Sequence, residues 1–250
     1  MISDKSQFEN RHVLYCDILG FSAYSTSIFF EPSKCLKLFH YLDQLVAKAK
    51  KEIDCPDDRY YVVKPEIIYC SDSIIISTPA TNVDAIWLCD AAVNIQNFIA
   101  HNGFIMRGGV ATDKLYHSDN TIFGPAITKA VALDQPNEPP AIIVSEETLK
   151  SFMASTDGMG EEISKIRKQQ LIFQENQKNY IDPYCRLRFA AEGNLDQQSY
   201  RAIESWRNTI ETGSRNKNPK ISVKYDWLAK RFNQAFCNKK NNILPIKLHS

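Results

Sequence analysis

The sequence lacks a net charge: 30 Lys and Arg stand against 29 Asp and Glu, leaving +1. No global field therefore draws it to nucleic acid or to an anionic membrane, and a phosphate-bearing ligand has to be held by local groups. No apolar run approaches the roughly 18 residues of a membrane span. The opening residues, MISDKSQFENRH, have no apolar core of the signal-peptide kind. No C-x-x-C pair occurs among the seven cysteines, which are scattered and odd in number. That pattern excludes a zinc ribbon or thioredoxin-like site and reads as buried thiols in a reducing compartment, so a cytoplasmic location is expected. There is no internal repeat. What remains, 44% hydrophobic and 24% charged over 250 residues, is the balance of an ordinary globular chain.

His12–Asp17 is short, apolar and β-prone, ends in a carboxylate, and is followed by Gly20, which permits a tight turn. From Pro32 to Lys51 apolar residues recur at helical spacing. Ile53–Arg59 reads as a loop. Tyr60–Val63 and Ile67–Cys70 read as strand, with Pro65 marking an edge or bend. Ser71-Asp72 is a turn before a second strand, Ser73–Thr78, so the pair is a hairpin with a carboxylate at its tip. Asn82–Asn102 is the strongest helix, with Asn82 as its expected N-cap and Gly103 as its stop. Phe104–Thr112 is a strand carrying two glycines, Leu115–Phe123 a hairpin arm or loop, and Gly124-Pro125 opens a short helix to about Leu133. A buried strand (Ala141–Ser145) and a short helix (Glu146–Met153) follow. Gly158–Gln177 is polar and reads as irregular, and Tyr180–Ala190 as a return to the sheet. Two amphipathic helices, Gln197–Ile210 and Val223–Phe236, flank an expected linker, Glu211–Lys220.

The order β-α-β-β-α-β predicts an α+β fold of the ferredoxin-like split βαβ kind, with a mostly antiparallel sheet. Neighbouring strands of such a sheet put the tips carrying Asp17 and Asp72 side by side. Two adjacent carboxylates repel unless a cation lies between them, and hard divalent ions satisfy that need while bridging phosphate oxygens. Either aspartate alone is more simply a turn cap.

Taken together, the stretches VLYCDILGFS and IIYCSDSIIIS resemble the two metal motifs of class III adenylate and guanylate cyclases. FIMRGGVATDKLYHSDNTIFGPAITKAVALDQ is similar to that family's following strand and helix. The resemblance spans about residues 12–145. It implies a catalytic domain over 8–192, a C-terminal helical extension over 193–250, and two divalent ions, Mn²⁺ or Mg²⁺, on Asp17, Asp72 and the Ile18 carbonyl. Leu19, Gly20 and Phe21 would wrap the phosphates of a nucleoside triphosphate. The family reaction is attack of the ribose 3′-oxygen on the α-phosphorus with loss of pyrophosphate, in a homodimer whose sites are shared between chains.

Departures from the family pattern narrow the substrate. The two positions that select a purine carry Ile68 and Thr121, and neither purine pair is present. The helix positions that carry a transition-state Asn and Arg hold Thr128 and Ala132. The R-G-G-V strand and F-G-P-A-I helix start resemble the bacterial anti-phage pyrimidine cyclase (Pycsar) branch. That branch implies UTP or CTP as substrate, cyclic UMP or cyclic CMP as product, and a separate effector protein that senses it. No membrane or nucleic-acid partner is expected. Arg107, in a strand of small and apolar residues, is a candidate phosphate or base contact, or else a simple ion pair at a sheet edge. Tyr61 is the candidate for shortening the base pocket, and Lys129 for replacing the missing cation. His117 and Asp113 read as solvated loop residues, and Lys217, Lys220 and Lys224 as a solvated linker. The alternatives are a non-catalytic nucleotide-binding homologue and a purine cyclase. A palm-type polymerase relative is weaker, because no basic groove accompanies the carboxylates.

Overall fold

The first strand, β1 (Glu9–Ile18), is apolar on both faces because both are covered. Leu14, Cys16 and Ile18 join the main core, while Val13 and Tyr15 join a smaller cluster on the opposite face. A computed structural model describes residues 8–51, 64–118, 120–135, 138–154, 170–193, 195–237 and 243–247. A five-residue helix, α1 (Phe21–Ser25), follows β1 directly, and α2 (Pro32–Lys51) packs Leu38 and Leu42 into the main core. The hairpin is β2 (Glu66–Cys70) and β3 (Ser73–Pro79), and α3 (Asn82–His101) leads to β4 (Met106–Ser118). These four strands lie in the order β2-β3-β1-β4, all neighbours antiparallel. That is the split βαβ arrangement the element order predicts, and the α+β expectation holds. Among the described residues the sheet continues through β6 (Ile142–Val144), β8 (Lys178–Ile181) and β7 (Ile172–Glu175), with β5 (Thr121–Phe123) paired to the far end of β4.

Helix α3 covers one face, twelve of its residues buried. Helix α4 (Pro125–Leu133) covers the other face of β1 and β4 through Ala126 and Ala130. Its close approach depends on Gly109, where a Cβ would stand 2.4 Å from the Ala130 carbonyl oxygen. Helix α5 (Glu146–Ala154) follows β6.

Several boundaries differ from the expected ones. The N-cap of α3 is Thr81, whose hydroxyl accepts from the Asp84 amide at 3.2 Å; Asn82 is already helical. The stretch read as irregular up to Gln177 contains β7, whose short run IFQE offers little periodicity. The expected return strand is β8 followed by a helix, α6 (Cys185–Glu192). The last two helices, α7 (Gln197–Ser214) and α8 (Pro219–Phe236), leave only residues 215–218 between them, with Pro219 at the first helical position. The expected linker is therefore largely helix. His117 lies within β4 and is buried rather than solvated. Tyr61, with Tyr60–Val63 and Ile53–Arg59, lies outside the described residues.

The C-terminal helices share a core with the sheet domain. Ile203, Trp206, Ile210, Leu228, Phe232 and Phe236 pack with Ala100, Ile105, Tyr184 and Leu187. The Trp206 indole N–H donates to Asn97 Oδ1 at 2.7 Å. Truncating a fully buried phenylalanine such as Phe232 costs about 3–5 kcal/mol. No helix among the described residues is long and apolar enough to cross a membrane.

Candidate active site

Side chains alternate along β1, so Asp17 faces the α4 side with Val13 and Tyr15. In the ladders Asp17 stands opposite Ser73 of β3 and Arg107 of β4. Asp72 occupies the turn between β2 and β3, where Ser71 takes a left-handed φ of 57°. Its carbonyl accepts the Ile18 amide at 3.2 Å, which ties the hairpin tip to the end of β1. The two carboxylates expected to meet are thus brought together. Leu19 continues the ladder, donating its amide to the Ile105 carbonyl at 2.8 Å. Gly20, at φ 80°, then reverses the chain into α1 and Phe21.

Arg107 lies on an interior strand, not at an edge. Its Nε donates to Asp17 Oδ2 and also faces Asp134 Oδ1, each at 3.4 Å. Asp134 caps the C-terminus of α4, and its side chain is 8% exposed. Burial raises the Asp17 carboxyl above the usual range, the neighbouring Asp72 raises it further, and Arg107 opposes both. Burial likewise raises Asp134, opposed by Arg107 and Lys224. Tyr15 adds a hydroxyl 3.4 Å from Ser73 Oγ.

The remaining candidates are dispersed. Lys129 pairs with Asp113 at 2.8 Å on an exposed surface. Ile68, on β2, stands opposite Ile75 of β3. Thr121 is exposed on β5 opposite Ser118, eleven residues along β4 from Arg107, or roughly 35 Å of extended strand. Asp134, Tyr15 and Lys224 escaped sequence reasoning. Tyr15 was accessible from the two-residue period of β1. Asp134 carried a weaker signal, since an acidic residue at a helix C-terminus opposes the helix dipole and asks for another reason to be there. Lys224 carried none, because its neighbours come from distant segments.

Among the described residues no group of three or more His, Cys, Asp or Glu side chains gathers as a metal site. The available donor set is the Asp17–Asp72 pair with the adjoining main chain. That set fits hard divalent ions completed by phosphate oxygens: the donors are oxygens, and a cation relieves both the burial of the Asp17 charge and its repulsion by Asp72.

No protein-family model and no curated protein matches the chain. Solved structures that it resembles include the catalytic core of a rhodopsin-guanylyl cyclase with converted specificity in complex with ATPαS. That pair shares 15% identity over 69% of this chain and 94% of the other, with a TM-score of 0.45. An adenylate/guanylate cyclase/hydrolase from Silicibacter pomeroyi shares 17% identity over 70% and 98%, with a TM-score of 0.46. A class III adenylyl cyclase-like ATP-binding protein from Pseudomonas aeruginosa shares 14% over 82% and 44%, with a TM-score of 0.34.

Proposed function

We propose that this chain is a class III-type nucleotide cyclase that converts a pyrimidine nucleoside triphosphate, UTP ahead of CTP, to its 3′,5′-cyclic monophosphate and pyrophosphate. The carrying observation is the Asp17–Asp72 pair, fixed at adjacent strand ends by the Ile18 amide on the Asp72 carbonyl. Asp17, Asp72 and the Ile18 carbonyl would hold the divalent ions against which the reacting phosphates are oriented. Leu19, Gly20 and Phe21 fold over the β- and γ-phosphates. Divalent ions, Mn²⁺ or Mg²⁺, held there would supply acidification of the ribose 3′-hydroxyl and neutralisation of the leaving pyrophosphate. The 3′-hydroxyl gives its proton to water, its oxygen bonds the α-phosphorus, and the bond from that phosphorus to the oxygen bridging it to the β-phosphorus breaks, releasing pyrophosphate. Arg107 holds Asp17 in place and keeps positive charge beside the phosphates.

The preference for a pyrimidine rests on Ile68 and Thr121. One has no polar group and the other a single hydroxyl, so neither makes the paired hydrogen bonds that fix a purine edge. Each desolvated, unpaired group costs about 1–3 kcal/mol. Tyr61 is proposed to narrow the pocket. Residues 8–192 are the proposed catalytic domain and 193–250 its extension. Because Thr121 lies so far along β4 from Asp17, one chain does not bring both to a single nucleotide. That separation supports a homodimer with shared sites. Resemblance to the defence branch supports a cytoplasmic second-messenger role in anti-phage defence, read by a separate effector protein.

Purified protein with Mn²⁺ and equal amounts of the four ribonucleoside triphosphates is expected to release pyrophosphate and cyclic UMP or cyclic CMP. Dominant cyclic AMP or cyclic GMP defeats the pyrimidine assignment but not the cyclase. Full activity from a monomer in sedimentation at the assay concentration defeats the shared site. Thr128 and Ala132 on α4 favour a second reading, a nucleotide-binding module without turnover, for which the same assay shows binding and no cyclic product.

A further inference from the structure

Helix α8 is anchored by Leu228, Ala229, Phe232 and Phe236, all buried. The Trp227 indole N–H donates to Glu175 Oε2 at 3.2 Å, and the Arg231 guanidinium sits 3.7 Å from the centroid of the Phe173 ring. This anchoring turns the first two turns of α8 toward an open cavity of about 760 Å³, where Lys220, Val223, Lys224 and Trp227 meet Leu19. The i,i+4 spacing stacks Lys220 and Lys224 along one face of the helix. Glu138 shares the cavity, but its carboxylate is already engaged by Lys178.

Leu19 is two residues beyond Asp17, so the cavity opens beside the carboxylate pair. Lys224 is half-buried and lies within electrostatic reach of Arg107, Asp134 and Asp17. Helix α4 supplies no comparable charge. Its one cation, Lys129, is committed to Asp113 at 2.8 Å, and Thr128 and Ala132 are uncharged. Lys220 and Lys224 thus line the open space, with Arg107 within electrostatic reach of Lys224, and an ammonium there binds phosphate oxygens as a point charge.

We propose that the C-terminal extension completes the nucleotide site within its own chain: α8 presents Lys224, with Lys220 at the rim, to the phosphate chain of the nucleoside triphosphate and to the departing pyrophosphate. The inference rests on the cyclase reading for its substrate, but the anion subsite itself stands on the cavity and its lysines. It gives the last helix a chemical role beyond packing, and it replaces in cis the charge that α4 does not carry.

The probe is inorganic pyrophosphate with Mg²⁺, titrated calorimetrically into the full chain, alongside turnover of the four triphosphates. Lys224→Gln is expected to weaken pyrophosphate binding about tenfold, the loss of one charge-assisted contact, with an unchanged melting temperature. Lys224→Arg is expected to keep most of the affinity, and Lys220→Gln to give a smaller loss. Wild-type affinity in a folded Lys224→Gln variant, or no pyrophosphate binding by the wild type, overturns the proposal. If the wild type makes no cyclic nucleotide but Lys224→Gln still loses pyrophosphate, the subsite stands and the cyclase reading fails. If the wild type cyclises and Lys224→Gln matches it in both measurements, the cyclase stands and the subsite fails.

Discussion

Arg107 stands directly opposite Asp17 in the β1–β4 ladder and divides its guanidinium between Asp17 and Asp134, each 3.4 Å from Nε. The arginine therefore does more than balance one carboxylate. It couples the strand that carries Asp17 to the end of α4, and Gly109 lets that helix sit close enough for the reach.

Removing the guanidinium leaves two partly buried carboxylates without their shared cation. Arg107→Ala is expected to lower unfolding stability by roughly 3 kcal/mol, as for other pairs broken from one side. Adding Asp134→Asn should recover part of that loss, because one of the stranded charges is then gone. Urea midpoints of the wild type, both single variants and the double variant measure the coupling. An Arg107→Ala midpoint equal to wild type would remove the arginine from its structural role.

Asp17→Ala and Asp72→Ala act differently. On the proposed function each removes a ligand for the divalent ions and should cut cyclase turnover about a thousandfold or more, equivalent to several kcal/mol of transition-state stabilisation. Stability should hold or rise, since the burial of the Asp17 charge, or its repulsion by Asp72, is relieved and Arg107 keeps Asp134. Near-normal turnover by either variant in a Mn²⁺ assay would falsify the assignment of the carboxylate pair.

What the sequence made legible was what local pattern controls. The short apolar run ending in Asp17, the hairpin around Asp72, the long apolar periodicity of α3 and the Gly-Pro opening of α4 all announce their elements, and the element order then dictates the β2-β3-β1-β4 sheet. Hidden features depend on segments far apart in the chain. Lys220 and Lys224 look like part of a polar linker until Phe232 and Phe236, burying the far end of α8, fix which way its first turns face. His117 looks like a loop residue because its neighbours Lys114, Tyr116 and Ser118 are polar. Its burial comes from Arg11 on β1 and Ser77 on β3, which reach it only in the fold.

His117 provides a test independent of any ligand. Its Nδ1 lies 2.6 Å from Ser77 Oγ, its Nε2 is buried with no hydrogen-bond partner among the described residues, and Arg11 donates to the same serine while pairing with Glu66. Burial first, and the Arg11 charge second, push the imidazole pKa down to about 4 from 6.5. The fold therefore keeps His117 neutral, whereas the unfolded chain takes up a proton as the pH falls below about 6.5. The stability from this group is fully present above that pH. It is lost progressively as the pH drops toward about 4, below which both states are protonated and the loss stops. A shift of this size corresponds to roughly 3 kcal/mol across the window. His12, whose pKa is also lowered chiefly by burial, adds a loss of the same sign. Replacing His117 with Asn, which keeps an acceptor for Ser77, should shrink the fall in stability between pH 7 and pH 4 by roughly 2–3 kcal/mol relative to wild type. Denaturant titrations of both proteins across that range measure it. Parallel pH profiles would mean that His117 is solvated in the folded protein.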